Sequence, residues 1–161
     1  MFHCKNRFFI VVFFVLLSGC ASSEVRTFFP PVGTEVILKQ ELTSRNNTRV
    51  FIQNGEVLER RDINVSGPHC QFILLRPRGQ TGGLSIQPDT FTITRTFRES
   101  RRGSSGNATM ITFMELSSEA QPEVSQLACQ RWGSPRLDSF LTIDEMKTTL
   151  SPIVELNVDI E

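Results

Sequence analysis

The stretch Arg49-Val50-Phe51-Ile52-Gln53-Asn54-Gly55-Glu56-Val57-Leu58-Glu59 constrains this chain more tightly than any other. Asn54-Gly55 at its centre suits a two-residue type I′ turn, because both central positions of that turn need positive φ. Such a turn permits one register, with Gln53 opposite Glu56, Ile52 opposite Val57 and Phe51 opposite Leu58. Apolar partners then face each other across the ladder. The segment predicts an antiparallel hairpin.

Its surroundings carry the same period of two. Thr34 to Leu42 sets Val36, Leu38 and Leu42 on one face, interrupted by Gln40, and Ser44-Arg45-Asn46-Asn47 is a polar turn. Cys70 to Arg76 is a short strand with Phe72 and Leu74 on the Cys70 face. Pro77 to Gly83 turns the chain. Thr90 to Arg98 alternates, with Phe91, Ile93 and Phe97 pointing one way and Arg95 breaking the apolar face. Ala108 to Leu116 is another strand. Glu123 to Trp132 fits a strand or a short helix equally well, and Trp132, three residues after Cys129, is placed to pack on that sulfur.

The period changes near the C-terminus. Thr142-Ile143-Asp144-Glu145 has the form of a capping box, in which a hydroxyl and a carboxylate each satisfy an orphan amide at the helix start. A helix from Ile143 to Leu150 follows, ended by Ser151-Pro152, and Ile153 to Val158 is a closing strand. Many short strands with one late helix predict a mainly β protein: a single antiparallel β-sandwich or barrel-like domain with one short C-terminal helix.

The N-terminus adds a second constraint. After Lys5 and Arg7, residues 8–17 run Phe-Phe-Ile-Val-Val-Phe-Phe-Val-Leu-Leu with no polar side chain. As a helix this spans roughly 15 Å, whereas a bilayer core takes about 20 apolar residues. The run therefore reads as the apolar region of an export signal. Leu17-Ser18-Gly19-Cys20 after it resembles the bacterial lipobox. That resemblance implies removal of residues 1–19, lipidation of Cys20, and Ala21 to Gly33 as a tether of at most about 45 Å leading to a domain over 34–161. Two or three acyl chains hold stably where one holds marginally. Ala21 after the cysteine, where Asp would be an inner-membrane retention signal, implies the outer membrane, with the domain facing the periplasm. Phe28 and Phe29 in the tether would cover the edge of the domain or meet the membrane.

Processing redefines the composition. Loss of Lys5 and Arg7 leaves 15 basic against 17 acidic residues, a mature net charge of −2. That balance excludes a polybasic nucleic-acid binder. Cys4 would leave with the signal and Cys20 would carry lipid, so Cys70 and Cys129 are expected to form a disulfide in an oxidising compartment. Metal binding by these cysteines fails on ligand number, since His69 is the only histidine left, and no metal or cofactor is expected. Asn46, Asn64 and Asn107 open Asn-x-Ser/Thr triplets, which carry no glycosylation meaning in a bacterium.

Several segments together resemble a family of small proteobacterial outer-membrane lipoproteins of unknown function. They are Arg49 to Gly55, Cys70-Gln71-Phe72, Ile86 to Phe91, Cys129-Gln130-Arg131-Trp132 and Leu141 to Met146. The resemblance implies an address and a shared fold, and supplies no catalytic residues.

Enzyme motifs are absent: there is no nucleophile elbow, no His-Glu-x-x-His and no phosphate-binding loop. The expected function is a non-catalytic envelope binding or assembly module, anchored in membrane lipid through acylated Cys20 and partnered by an envelope protein or the cell wall. The alternative is an enzyme acting on cell-envelope material, centred on His69. Glu99 to Asn107 reads as an exposed loop that, with Arg95, Arg98, Arg101 and Arg102, forms a basic tip. Such a tip is either solvated surface, the commoner case, or a contact for lipid phosphate or an anionic glycan.

Overall fold

The Asn54-Gly55 hairpin forms in the expected register. In the computed structural model, which describes residues 29–44, 48–76, 82–103, 106–134 and 140–158, β3 (Arg49–Gln53) and β4 (Glu56–Leu58) pair Phe51 with Leu58, Ile52 with Val57 and Gln53 with Glu56. Both turn residues take positive φ, 53° at Asn54 and 74° at Gly55. The Gly55 amide also donates to the Thr149 carbonyl, so the turn is fastened to the far end of the chain.

The remaining strands are β1 (Glu35–Leu38), β2 (Leu42–Ser44), β5 (His69–Leu74), β6 (Leu84–Ile86), β7 (Asp89–Arg102), β8 (Ala108–Ser117), β9 (Val124–Gly133) and β10 (Val154–Asn157). One helix, α1 (Ile143–Leu150), precedes β10. Eight strands make one antiparallel sheet in the order β10-β1-β7-β8-β9-β5-β3-β4, and β2 pairs with β6 as a separate ribbon. The sheet curls around α1. Its β3–β4 edge meets the end of α1 through the Gly55–Thr149 bond, and its other edge follows directly from that helix as β10. The chain is therefore mainly β with one late helix, in the form of a curled sheet.

Local rules account for the elements. The Thr142 hydroxyl accepts from the Glu145 amide at 3.2 Å, and the Glu145 carboxylate accepts from the Thr142 amide at 2.8 Å, so the expected capping box is complete. Ile143, Met146 and Leu150 turn inward from α1 onto the sheet. The inner face supplies Val36, Ile52, Cys70, Phe72, Phe91, Ile93, Met114, Leu127 and Cys129, each with at most 1 % of its surface exposed. Cys70 and Cys129 are direct cross-strand partners on β5 and β9 and are joined as a disulfide.

Four expectations need correction. The strand over Thr34 to Leu42 is two strands, because the chain turns at Lys39 to Glu41; the exposed Gln40 interrupts the apolar face at that turn. Ser44 belongs to β2 and is buried, whereas 45–47 of the polar turn lie outside the described residues. Trp132 does not pack on the disulfide. β9 is a strand, so a spacing of three puts Trp132 on the opposite face from Cys129, where it is 41 % exposed. Phe97 does not share a face with Phe91 and Ile93. A β-bulge between Ile93 and Arg95 inserts Thr94 into β7 and shifts the alternation by one residue. Beyond it, Thr96 pairs with the core residue Met114, and Phe97 pairs with Phe113 on the outer face.

The export signal, Cys20, the tether up to Phe28, most of the Gly-rich turn (77–81) and the loop residues 104–105 lie outside the described residues.

Candidate functional site

The distal half of β7 and its partners carry most of the chemistry that the core leaves unused. The stretch expected to be a loop from Glu99 to Asn107 is shorter: Glu99 to Arg102 continue β7, paired with Ile111, Met110, Thr109 and Ala108. The ladder persists because β8 supplies a full row of partners this far, and the connection narrows to 103–107.

Strand alternation divides the four arginines of the expected basic tip between two faces. Arg95 and Arg101 lie on the outer face. There Phe97 and Phe113 stack at 4.9 Å between centroids, Arg95 stands 5.1 Å from the Phe97 ring and Arg101 stands 5.9 Å from the Phe113 ring. Each also meets a carboxylate, Arg95 with Glu115 at 3.5 Å and Arg101 with Glu99 in a two-bond fork of 2.9 and 3.0 Å. The fork holds the Glu99 carboxyl below its ordinary pKa and raises that of Arg101. Ile111, Ala128, Ile73, Phe97 and Phe113 form a small apolar cluster on this face.

Arg98 and Arg102 lie on the inner face. The Arg98 guanidinium stands 3.8 Å from the Phe29 ring centroid and 4.6 Å from that of Phe140. Burial against these rings lowers its pKa from the ordinary arginine value. Phe29 thus covers the edge of the domain, one of its two expected roles. The segment behind it runs antiparallel along β7: Gly33 donates to the Ile93 carbonyl at 2.8 Å, Ile93 to the Thr34 carbonyl at 2.9 Å, and the Thr96 hydroxyl to the Pro30 carbonyl at 2.9 Å. The part of the tether nearest the domain is therefore docked on it.

Beside this end, Val65, Ser66, His69, Thr109, Gln130 and Trp132 line an open cleft of about 420 Å³. His69 is 3 % exposed. Its Nδ1 lies 3.0 Å from the Gly67 carbonyl and its Nε2 lies 2.7 Å from the Gln130 amide nitrogen. A neutral ring donating at Nδ1 and accepting at Nε2 satisfies both contacts. Burial lowers the His69 pKa, against a smaller opposing effect of the Gly67 carbonyl. Both ring nitrogens are thus engaged in holding β5 to β9 and to the loop before it. The same loop is braced by Gln53, whose amide donates to the Asn64 and Pro68 carbonyls and accepts from the Asn64 amide, each at 3.0 Å. Among the described residues, no three His, Cys, Asp or Glu side chains gather as a metal-binding group.

The opposite end of the long strands is a polar lock that residue patterning did not single out. The Asp89 carboxylate accepts from the Ser118 hydroxyl at 2.5 Å and from the Gln121 amide at 3.1 Å. Gln121 also exchanges hydrogen bonds with the backbone of Gln87, at 2.7 and 3.0 Å. The Ser118 contact is the main cause of the lowered Asp89 pKa. Comparison with protein-family models, with curated proteins and with solved structures returned no match.

Proposed function

We propose that this chain is a lipid-anchored lipoprotein of the outer membrane, facing the periplasm, whose mainly β domain is a non-catalytic envelope binding or assembly module. The observation that carries the reading is Leu17-Ser18-Gly19-Cys20 directly behind an uninterrupted apolar run of ten residues. Small residues before the cysteine suit an extended peptide in a peptidase groove, and the thiol is the nucleophile that lipidation needs. The engagement of both His69 nitrogens supports the non-catalytic part, since a general base needs a free lone pair within reach of its proton.

The test is metabolic labelling with palmitate, followed by fractionation and in-cell crosslinking from Val65, an exposed residue on the rim of the cleft. Label that depends on Cys20, sedimentation with outer membrane and a discrete crosslinked envelope protein or cell-wall fragment are expected. Label retained in Cys20→Ala, or a chain recovered from the soluble fraction, contradicts the anchor. A growth or envelope defect caused by His69→Ala in a stably folded protein would favour the enzymatic alternative.

A further inference from the structure

We propose that the end of the sheet carrying Arg101, Arg102 and Trp132 is the face that rests on the anionic phospholipid headgroups of the membrane. The proposal rests on the reading of Cys20 as the anchor, and it adds an orientation and a contact surface.

Three independent observations converge on this end. The first is the direction of the chain. Stepping back from Thr34 to Phe29 moves along β7 from Ile93 to Arg98, toward the tip of the β7–β8 hairpin. Eight residues lie between Cys20 and Phe29, so the nine steps reach at most about 30 Å. Arg98 to Arg102 covers about 13 Å of strand in the same direction. A lipid on Cys20 therefore keeps the hairpin tip close to the bilayer.

The second observation is charge. From residue 90 to residue 115 the chain carries four arginines and two carboxylates, Glu99 and Glu115, an excess of two positive charges. The opposite end of the long strands presents Asp89, Glu119 and Glu123, with Glu41 joined to it through Gln87 at 2.8 Å, against Arg49 and Arg76, an excess of two negative charges. A domain of net negative charge thus has one basic end, and it is the end toward which the tether runs. Anionic headgroups attract such an end and repel the other.

The third is the aromatic residue beside it. Trp132 pairs with Thr109, which pairs with Arg101, so indole and guanidinium occupy one cross-strand row on the outer face. Trp132 is 41 % exposed. An indole whose ring is apolar and whose N–H is polar suits the headgroup level of a bilayer.

Trp132 is the only tryptophan of the chain, so its fluorescence reports this surface directly. The chain from Cys20, produced without acylation, has Cys20 as its one thiol outside the disulfide and can be coupled to a maleimide lipid. Supplying the tether in this way makes the result independent of whether cells acylate Cys20, which palmitate labelling reads separately. In vesicles of phosphatidylcholine with phosphatidylglycerol, Trp132 is expected to be quenched by brominated acyl chains and shielded from aqueous acrylamide. High salt reverses both effects. One arginine at an anionic surface changes such an equilibrium about fivefold, so Arg101→Glu with Arg102→Glu lowers the ratio of shielded to open Trp132 at least about 25-fold. Glu119→Lys at the far end leaves the shielding in place. Quenching that is equal with and without phosphatidylglycerol, insensitive to salt, or unchanged by the double substitution overturns the proposal. The salt titration uses the unaltered chain, so the outcome does not depend on how the variant folds.

Discussion

Phe91 and Phe97 stand on the same strand, on either side of one inserted residue. Phe91 has no exposed surface and packs among Val36, Phe72 and Ile93 in the main core, with its ring 6.2 Å from that of Phe72. Phe97 lies on the other face of the sheet, half-buried, stacked on Phe113 and approached by Arg95. The proximal half of β7 faces the main core and builds stability. The distal half, past the bulge at Thr94, turns Phe97, Arg95 and Arg101 to the outer face and Arg98 and Arg102 to the inner one. A single extra residue lets one strand serve as core at one end and as surface at the other, because every side chain beyond it changes sides.

The largest expected effect separates the two halves at once. Phe91→Ala removes a fully enclosed ring and should cost about 4 kcal/mol. Phe97→Ala removes a ring with one open side and should cost about 1.5 kcal/mol, mostly the aromatic pair and partial burial. Denaturant midpoints of the two variants check this, and equal losses would show that the bulge does not divide the strand energetically.

The disulfide comes next. It closes a separation of 59 residues, worth about 4 kcal/mol in the chain-entropy model. Reduction should lower the unfolding midpoint accordingly, and the β5–β9 pairing around Cys70 and Cys129 should lose amide protection before the β1–β10 pairing does. Hydrogen exchange with and without reductant measures both.

Arg98 joins the distal half to the chain leading toward Cys20. Arg98→Ala gives up contacts to two rings and should cost about 1–2 kcal/mol. Its sharper signature is local: Phe29 to Thr34 should become open to proteolysis while α1 keeps its protection. Arg98→Lys should restore only part of the contact, since an ammonium lacks the flat face that stacks on a ring.

The smallest effect lies in the lock at the proximal end. Hydrogen bonds, led by that from Ser118, lower the folded-state pKa of Asp89. Its contribution is present at neutral pH and disappears as pH falls through that lowered value. Ser118→Ala should lower stability at neutral and alkaline pH, where the Asp89 carboxylate is charged, and make progressively less difference as pH falls through the lowered Asp89 pKa. A loss of the same size in acid, where the Asp89 carboxyl is protonated, would show that the serine acts through packing.

Local chemistry made much of this legible in advance. Asn54-Gly55 dictates a register, Thr142 and Glu145 mark a helix start, and Cys70 and Cys129, left once the lipobox resemblance assigns Cys4 and Cys20 elsewhere, mark a pair, because each depends on residues close in sequence or on elimination. The bulge was not legible. Thr94 differs in no way from the threonines around it, and its extra position exists only because β8 holds Leu116 and Glu115 in adjacent places opposite Ile93 and Arg95. Strict alternation without that shift puts Phe97 on the core face and reads the arginines as one cluster. The place of Trp132 is hidden for a related reason: a spacing of three keeps a face in a helix and leaves it in a strand, and the pattern from Glu123 to Trp132 fits either. The Asp89-Ser118-Gln121 lock joins residues about 30 apart with no patterned spacing, so only the fold brings it together.

The difference between the two ends of the long strands leads to one decisive measurement in the cell. A photoreactive aromatic amino acid is placed at Trp132, at the distal end, and in a second strain at Glu119, at the proximal end. After irradiation the purified chains are analysed for phospholipid adducts by mass. Adducts at 132 and none at 119 are the predicted result. Adducts at 119, or at neither position in a chain that carries lipid on Cys20, would contradict a membrane-facing distal end.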